Sequence, residues 1–234
     1  MQSVKFSVGS LSARRIIKLI LALIGAATLV FFLIRFVPLS QKDGEVELLR
    51  LVGPDAPVAE NYVPALVEVE GVQVSELCGE DLRLFLQAAG EAGFEPLLLE
   101  GYVDRKRQQE NYDRELQQLQ AQGLSEEDAR ALLLAPGENE HQLGLTVDIV
   151  DAGNPYKDPA FSHSEIYKWL EEHCWEYGFV IRYPQDKEEL TGREFIPWHY
   201  RYVGLESARL MKELQLCLEE YYTWFYSDAV IVIE

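Results

Sequence analysis

Residues 137–151 read GENEHQLGLTVDIVD, and no other stretch restricts the fold more tightly. Pro136 and Gly137 end the helical pattern before it, and residues 145–150 form an apolar, β-rich run. A chain built this way must set helix and strand side by side. In extended backbone Thr146, Asp148 and Val150 share one face while Val147 and Ile149 enter the core. The same stretch fixes His141 close to Asp148, and His199 follows in the run Ile196-Pro197-Trp198-His199-Tyr200. Two imidazoles and a carboxylate suit a borderline cation such as zinc and leave the fourth tetrahedral position open for water, the layout of a hydrolytic metal site. A lone histidine is more often a hydrogen-bonded structural residue, so the pattern by itself leaves both readings open.

The organisation of the chain is set at its amino end. Residues 16–37 form a run of 22 residues interrupted only by Lys18 and Arg35 near its ends, long enough to span a bilayer. Arg14, Arg15 and Lys18 favour a cytoplasmic amino end. The run is long for a cleaved signal peptide, and no small-x-small site follows it. The expected order is a basic cytoplasmic tail at 1–15, a transmembrane anchor at 16–37, a tether at 38–47, an extracytoplasmic domain at 48–226 and a short tail at 227–234. The expectation is a single-pass protein of the cell membrane. The net charge of −18 is uneven, because residues 1–40 hold five basic side chains and no acid. The remainder is strongly acidic, which repels phosphate backbones and argues against a nucleic-acid partner. Cys78, Cys174 and Cys217 are odd in number and widely spaced, as packing residues are.

Periodicity and caps predict a strand at 48–52, extended chain at 62–70, a helix at 75–90, a strand at 94–99 and helices at 104–121 and 125–134. After the strand at 145–150 come a helix at 162–177 with Ser162 and Glu165 as its capping box and a strand at 179–183. A last strand at 198–203 and a helix at 207–221 close the domain, and residues 229–233 are apolar enough for an edge strand. His163 and His173 fall in or beside the helix at 162–177 and read as structural. The pattern is that of an α+β domain.

In order along the chain, these motifs resemble the VanY-type D-alanyl-D-alanine carboxypeptidases, zinc D,D-peptidases that trim cell-wall stem peptides. The resemblance spans residues 48–226. It rests on Tyr62-Val63-Pro64-Ala65-Leu66-Val67, Gly101-Tyr102 with Gln108, Glu140-His141-Gln142, Gly144-Leu145 and Val147-Asp148-Ile149. It continues through Gly178-Phe179-Val180-Ile181-Arg182-Tyr183-Pro184, Thr191-Gly192 and Pro197-Trp198-His199-Tyr200-Arg201-Tyr202-Val203-Gly204. It implies a small, mostly antiparallel sheet flanked by helices, with His141, Asp148 and His199 as zinc ligands. It further implies a peptidoglycan stem peptide ending in D-Ala-D-Ala as partner, and Gln108 and Trp198 as substrate contacts.

The departures fall at the chemistry. The family's catalytic glutamate stands three residues before the second zinc histidine, where this chain has Ile196. The family's arginine after Gly-Tyr is Val103 here, and two smaller departures are Asn139 for serine and Thr146 for alanine. Glu194 is a substitute base that would share a face with Ile196 in extended chain, though roughly 6.5 to 7 Å along it. Glu140 belongs to the ordinary family motif and has another task. Three readings follow: a zinc-binding pseudopeptidase, an active carboxypeptidase using a base such as Glu194, and a structural or protein-interaction domain. Loss of a general base forfeits about 100- to 10,000-fold in rate and loss of an electrostatic stabiliser a further 100- to 1,000-fold or so, which favours weak or absent hydrolysis.

Overall fold

Glu70 and Gly71 take φ of 49° and 80°, the paired left-handed conformation of a tight two-residue hairpin turn. They join β1 (Leu66–Val69) to β2 (Val72–Ser75) as an antiparallel pair. The structure is a computed structural model that describes residues 47–226. The expected tail, the anchor at 16–37, nearly all of the tether and the edge strand at 229–233 lie outside the described residues. Among the described residues no helix is long and apolar enough to cross a membrane.

Ser75 ends β2 and caps α1 (Glu76–Glu91), its hydroxyl accepting the Leu77 N–H at 3.3 Å. Cys78, Leu82, Phe85, Leu86 and Ala89 form the buried stripe of α1. Phe85 is its centre, packing against the rings of Trp169, Tyr177, Phe179 and Tyr200. Asp104 caps α2 (Arg105–Ala121) and Ser125 caps α3 (Glu126–Leu132), both through a hydrogen bond to the third residue onward.

The main sheet holds β3 (Pro96–Glu100), β4 (Thr146–Asp151), β5 (Phe179–Ile181) and β6 (His199–Tyr202) in the order β3-β4-β6-β5, every pair antiparallel. This is the α+β architecture expected. The register positions the chemistry, since Glu100 pairs with Asp148 and Asp148 with His199. Residues directly opposite on neighbouring strands share a face, so the three side chains form one row. An irregularity between Leu98 and Glu100 sets this register, as a bulge does by inserting an extra residue into one strand. Thr146 and Val150 are buried along with Val147 and Ile149, because β4 is an inner strand and both of its faces are covered.

Three expectations are corrected. Residues 48–52 are not a strand. Leu49 is fully buried in a second cluster with Val180, Val203, Met211 and Leu218, and the carbonyls of Leu48 and Arg50 accept from the Arg201 guanidinium instead of from a strand. Ser162 does not cap the helix at 162–177, because it lies within the 3-10 turn Pro159–His163 and donates to the Pro159 carbonyl. Ser164 caps α4 (Glu165–His173), and a separate 3-10 turn, Cys174–Tyr177, follows. The expected helix at 207–221 is two helices, α6 (Leu205–Leu214) and α7 (Leu218–Tyr226), which follow the one-turn α5 (Glu188–Thr191). Gln215 has φ of 54°, a left-handed residue that ends α6. The three cysteines are buried and unbridged.

Candidate metal centre

His141 stands in a 3-10 turn, Glu140–Leu143, that Asn139 opens by accepting the His141 N–H at 3.0 Å. Gly144, with φ of 71°, turns the chain from there towards β4, where the row of paired strands presents Asp148 and His199. His141 Nδ1 lies 2.7 Å from the Gly101 carbonyl. A carbonyl only accepts, so Nδ1 carries the hydrogen and a neutral ring turns its Nε2 lone pair to the cluster. That Nε2 is 3.4 Å from Asp148 Oδ2, and His199 Nδ1 is 2.8 Å from Asp148 Oδ1. One ligand atom from each of the three residues lies within 4.8 Å of the other two, and all three residues are buried. A tetrahedral ion with bonds of about 2.0–2.1 Å has ligand-to-ligand edges of roughly 3.3 Å, so this group could hold a metal with little rearrangement.

The backbone that orients His141 has no slack. A Cβ on Gly101 would meet the Gln73 carbonyl oxygen and, at 2.8 Å, the γ-methyls of Val72 and Val74. Gly101→Ala is therefore expected to destabilise the fold by about 1–3 kcal/mol and to weaken metal binding together with stability. Thermal unfolding with and without added metal checks this, and an alanine variant matching the wild type in both would contradict it.

Charge surrounds the cluster. Burial opposes protonation of His141, but the Asp148 carboxylate outweighs it and raises the pKa. Burial likewise opposes ionisation of Asp148, and His141 and His199 hold it well below the usual carboxylate range. For His199, burial is the largest influence and lowers the pKa, and its Nε2 is buried without a hydrogen-bond partner. Lys157, from the loop after β4, places its ammonium 2.5 Å from Asp148 Oδ2 and 2.8 Å from Glu100 Oε2. Burial raises the Glu100 carboxyl, but His141 and Lys157 bring it below its ordinary value.

Glu140 faces away from this chemistry. Its Oε1 lies 2.8 Å from Arg182 Nε and 3.2 Å from Arg201 Nη1, and Arg182 also forks onto Glu219 of α7 at 2.6 and 3.1 Å. Burial raises its pKa, yet the two guanidiniums bring it down to about 2. It ties the turn bearing His141 to β6 and the closing helix.

A cavity of about 270 Å³ opens over the cluster, lined by His141, His199, Glu100, Lys157, Arg193 and Ile196 among others. Gln108 lines it too, donating to the Leu134 carbonyl and accepting from Asn139. Trp198 does not. It is half-buried against the main core, as successive residues entering a strand face opposite sides and its neighbour His199 faces the cavity. Glu194 is exposed and outside the lining, because residues 193–198 are irregular chain in which the strand alternation expected of Glu194 and Ile196 does not operate. Val103 is only 1% exposed and also outside the lining. His163 and His173 lie away from the cluster, His173 bonding Glu176. The sequence reading missed Glu100, Lys157 and Arg193. A carboxylate closing the apolar run before Gly101 was a visible signal for the first, whereas the loop lysine and the arginine meet the site only in three dimensions.

A family model described as VanY, D-alanyl-D-alanine carboxypeptidase, matches residues 71–205. The D-alanyl-D-alanine carboxypeptidase of Enterococcus faecalis is 40% identical over 175 residues, which cover 69% of this chain and 62% of that protein. The match thus spans less than two thirds of that relative's length. The solved structure of VanYB in complex with D-alanine-D-alanine is 37% identical, with a TM-score of 0.67, covering 75% of this chain and 97% of that one. A variant of the D,D-pentapeptidase VanY from a VanB-type resistance cassette, solved in complex with Zn(II), is 36% identical with a TM-score of 0.66, covering 75% of this chain and 98% of that one. The matched span holds His141, Asp148 and His199 together with the sheet that aligns them, and the chain belongs to the VanY family of D-alanyl-D-alanine carboxypeptidases.

Proposed function

We propose that this chain is a membrane-anchored, zinc-binding member of the family that binds peptidoglycan stem peptides ending in D-Ala-D-Ala and hydrolyses them weakly or not at all. His141, Asp148 and His199 would hold the ion, which supplies Lewis acidity towards a peptide carbonyl. The apolar run at 16–37 supports the anchor, with residues 48–226 on the outer side where stem peptides lie. Proton transfer is the step that this chain's own residues serve poorly. The carrying observation is Ile196, an apolar side chain in the cavity lining beside His199, where the family's base belongs.

Glu100 does not fill that role well. Its carboxylate is engaged by Lys157 at 2.8 Å and neighboured by Arg107 at 3.6 Å, and its lowered pKa weakens its pull on a proton. Lys157 is committed to Asp148 and Glu100 as well, so it is a poor replacement for the cation missing at Val103. The cavity retains the means to hold a peptide, while Glu100, the lining carboxylate that acts on His141, is already engaged by Lys157.

The test uses the full-length chain stripped with a chelator and titrated with zinc. About one zinc per chain is expected, with stabilisation of about 2.7 kcal/mol at a free concentration 100-fold above the dissociation constant, both lost in Asp148→Ala. Release of D-alanine from a D-Ala-D-Ala peptide should stay near background. A stripped chain that refuses zinc sinks the metal site, and brisk release by the wild type sinks the claim of weak hydrolysis.

A further inference from the structure

Two cationic side chains line the cavity, and their surroundings differ. Lys157 is neutralised twice, by Asp148 and by Glu100. An incoming anion would have to displace one of these carboxylates while facing the repulsion of both. Arg193 is unencumbered. Its backbone is pinned, since its N–H donates to Thr191 Oγ1 at 3.3 Å and its carbonyl accepts from the same hydroxyl at 3.2 Å. Its guanidinium has no hydrogen bond or ion pair among the described residues, although acidic residues outnumber basic ones by 39 to 21.

The position of Arg193 relates it to the metal cluster. Tyr183 stacks on His199, ring centroids 5.2 Å apart, and lines the same cavity. Arg193 lines this cavity together with Tyr183, Ile196 and His199, whereas Lys157 is bound at Asp148. A peptide with its scissile carbonyl at the cluster carries its terminal carboxylate one residue further on, roughly 3.3–3.6 Å of chain, so the carboxylate has to be met within this cavity.

Resting on the stem-peptide reading of the site, we propose that Arg193 receives the free terminal carboxylate of the bound peptide. Its planar fork matches a carboxylate with two parallel N–H···O bonds. The site then selects peptides ending in a carboxylate over the same peptides ending in an amide.

Calorimetry on the zinc-loaded full-length chain, with N-acetyl-D-Ala-D-Ala and its C-terminal amide as probes, tests this. The wild type is expected to prefer the acid by about 10- to 100-fold. Arg193→Gln should bind the acid weaker by the same factor and the amide unchanged, and Arg193→Lys should fall between, keeping charge but losing the fork. Zinc content and thermal midpoint should not move in either variant, because the guanidinium supports nothing in the fold. An Arg193→Gln chain that keeps the preference for the acid overturns the assignment, as does a wild type that binds both probes equally. A wild type that binds neither probe removes the stem-peptide reading itself, and the role of Arg193 with it.

Discussion

Replacing Ile196 with glutamate is expected to raise D-alanine release from a D-Ala-D-Ala peptide by about 100- to 10,000-fold over the wild type, the range that a positioned general base contributes. The site can receive the change. Ile196 lines the cavity, its backbone is fixed by its N–H donating to the Tyr183 carbonyl at 3.2 Å, and its half-buried side chain leaves a carboxylate access to water. Asp148→Ala in the same background should return release to background, tying any gain to the cluster. Val103→Arg is the less informative substitution. Val103 is 1% exposed and its N–H donates to the His141 carbonyl at 3.2 Å, so an arginine there begins from a buried position against the turn that bears a ligand. If Ile196→Glu retains its zinc and its fold yet releases D-alanine no faster, the missing base is not what limits this chain.

Local signals were legible wherever chemistry and structure lie within a few residues of each other. The charged segment at 104–121 is helical, Ser125 caps the helix that follows, and the run at 145–150 is an inner strand of the sheet. Reading failed where two local signals competed. Ser162 and Ser164 both precede an apolar stripe, and tertiary packing of Phe161 in the preceding turn gives the cap to Ser164. The row Glu100, Asp148 and His199 depends on strand register, and the irregularity after Leu98 shifts that register by one residue. No spacing within one segment reveals such a row. Glu194, expected to share a face with Ile196, is exposed and outside the cavity lining for a related reason. Alternation holds only inside a strand, and β6 begins at His199, after the residues to which alternation had been applied. Ile196 and Val103 were legible as apolar residues where the resemblance implies charged ones. Glu100 and Lys157, which bring charge to the cavity, come from other segments and needed the fold.

Replacing Glu140 with glutamine is expected to cost about 3–5 kcal/mol of stability, because it strands two buried guanidiniums without their carboxylate. Arg201 is fully buried and Arg182 nearly so, and Glu219 can compensate only Arg182. The consequence extends to the site, since Glu140 opens the turn carrying His141 and Arg201 lies in β6 two residues beyond His199. The same network sets a pH dependence. The folded-state pKa of Glu140, about 2, lies below the ordinary 4.5, so its contribution is present in full above the ordinary value. It drains away as pH falls from there towards about 2, where protonation leaves the arginines unpaired. Urea unfolding of the wild type should therefore lose stability across that acid window. Glu140→Gln should begin lower and decline less steeply, because the group responsible for part of the slope has gone. A variant within about 1 kcal/mol of the wild type at neutral pH, with the acid slope intact, would show that Arg182 and Arg201 are held by other means.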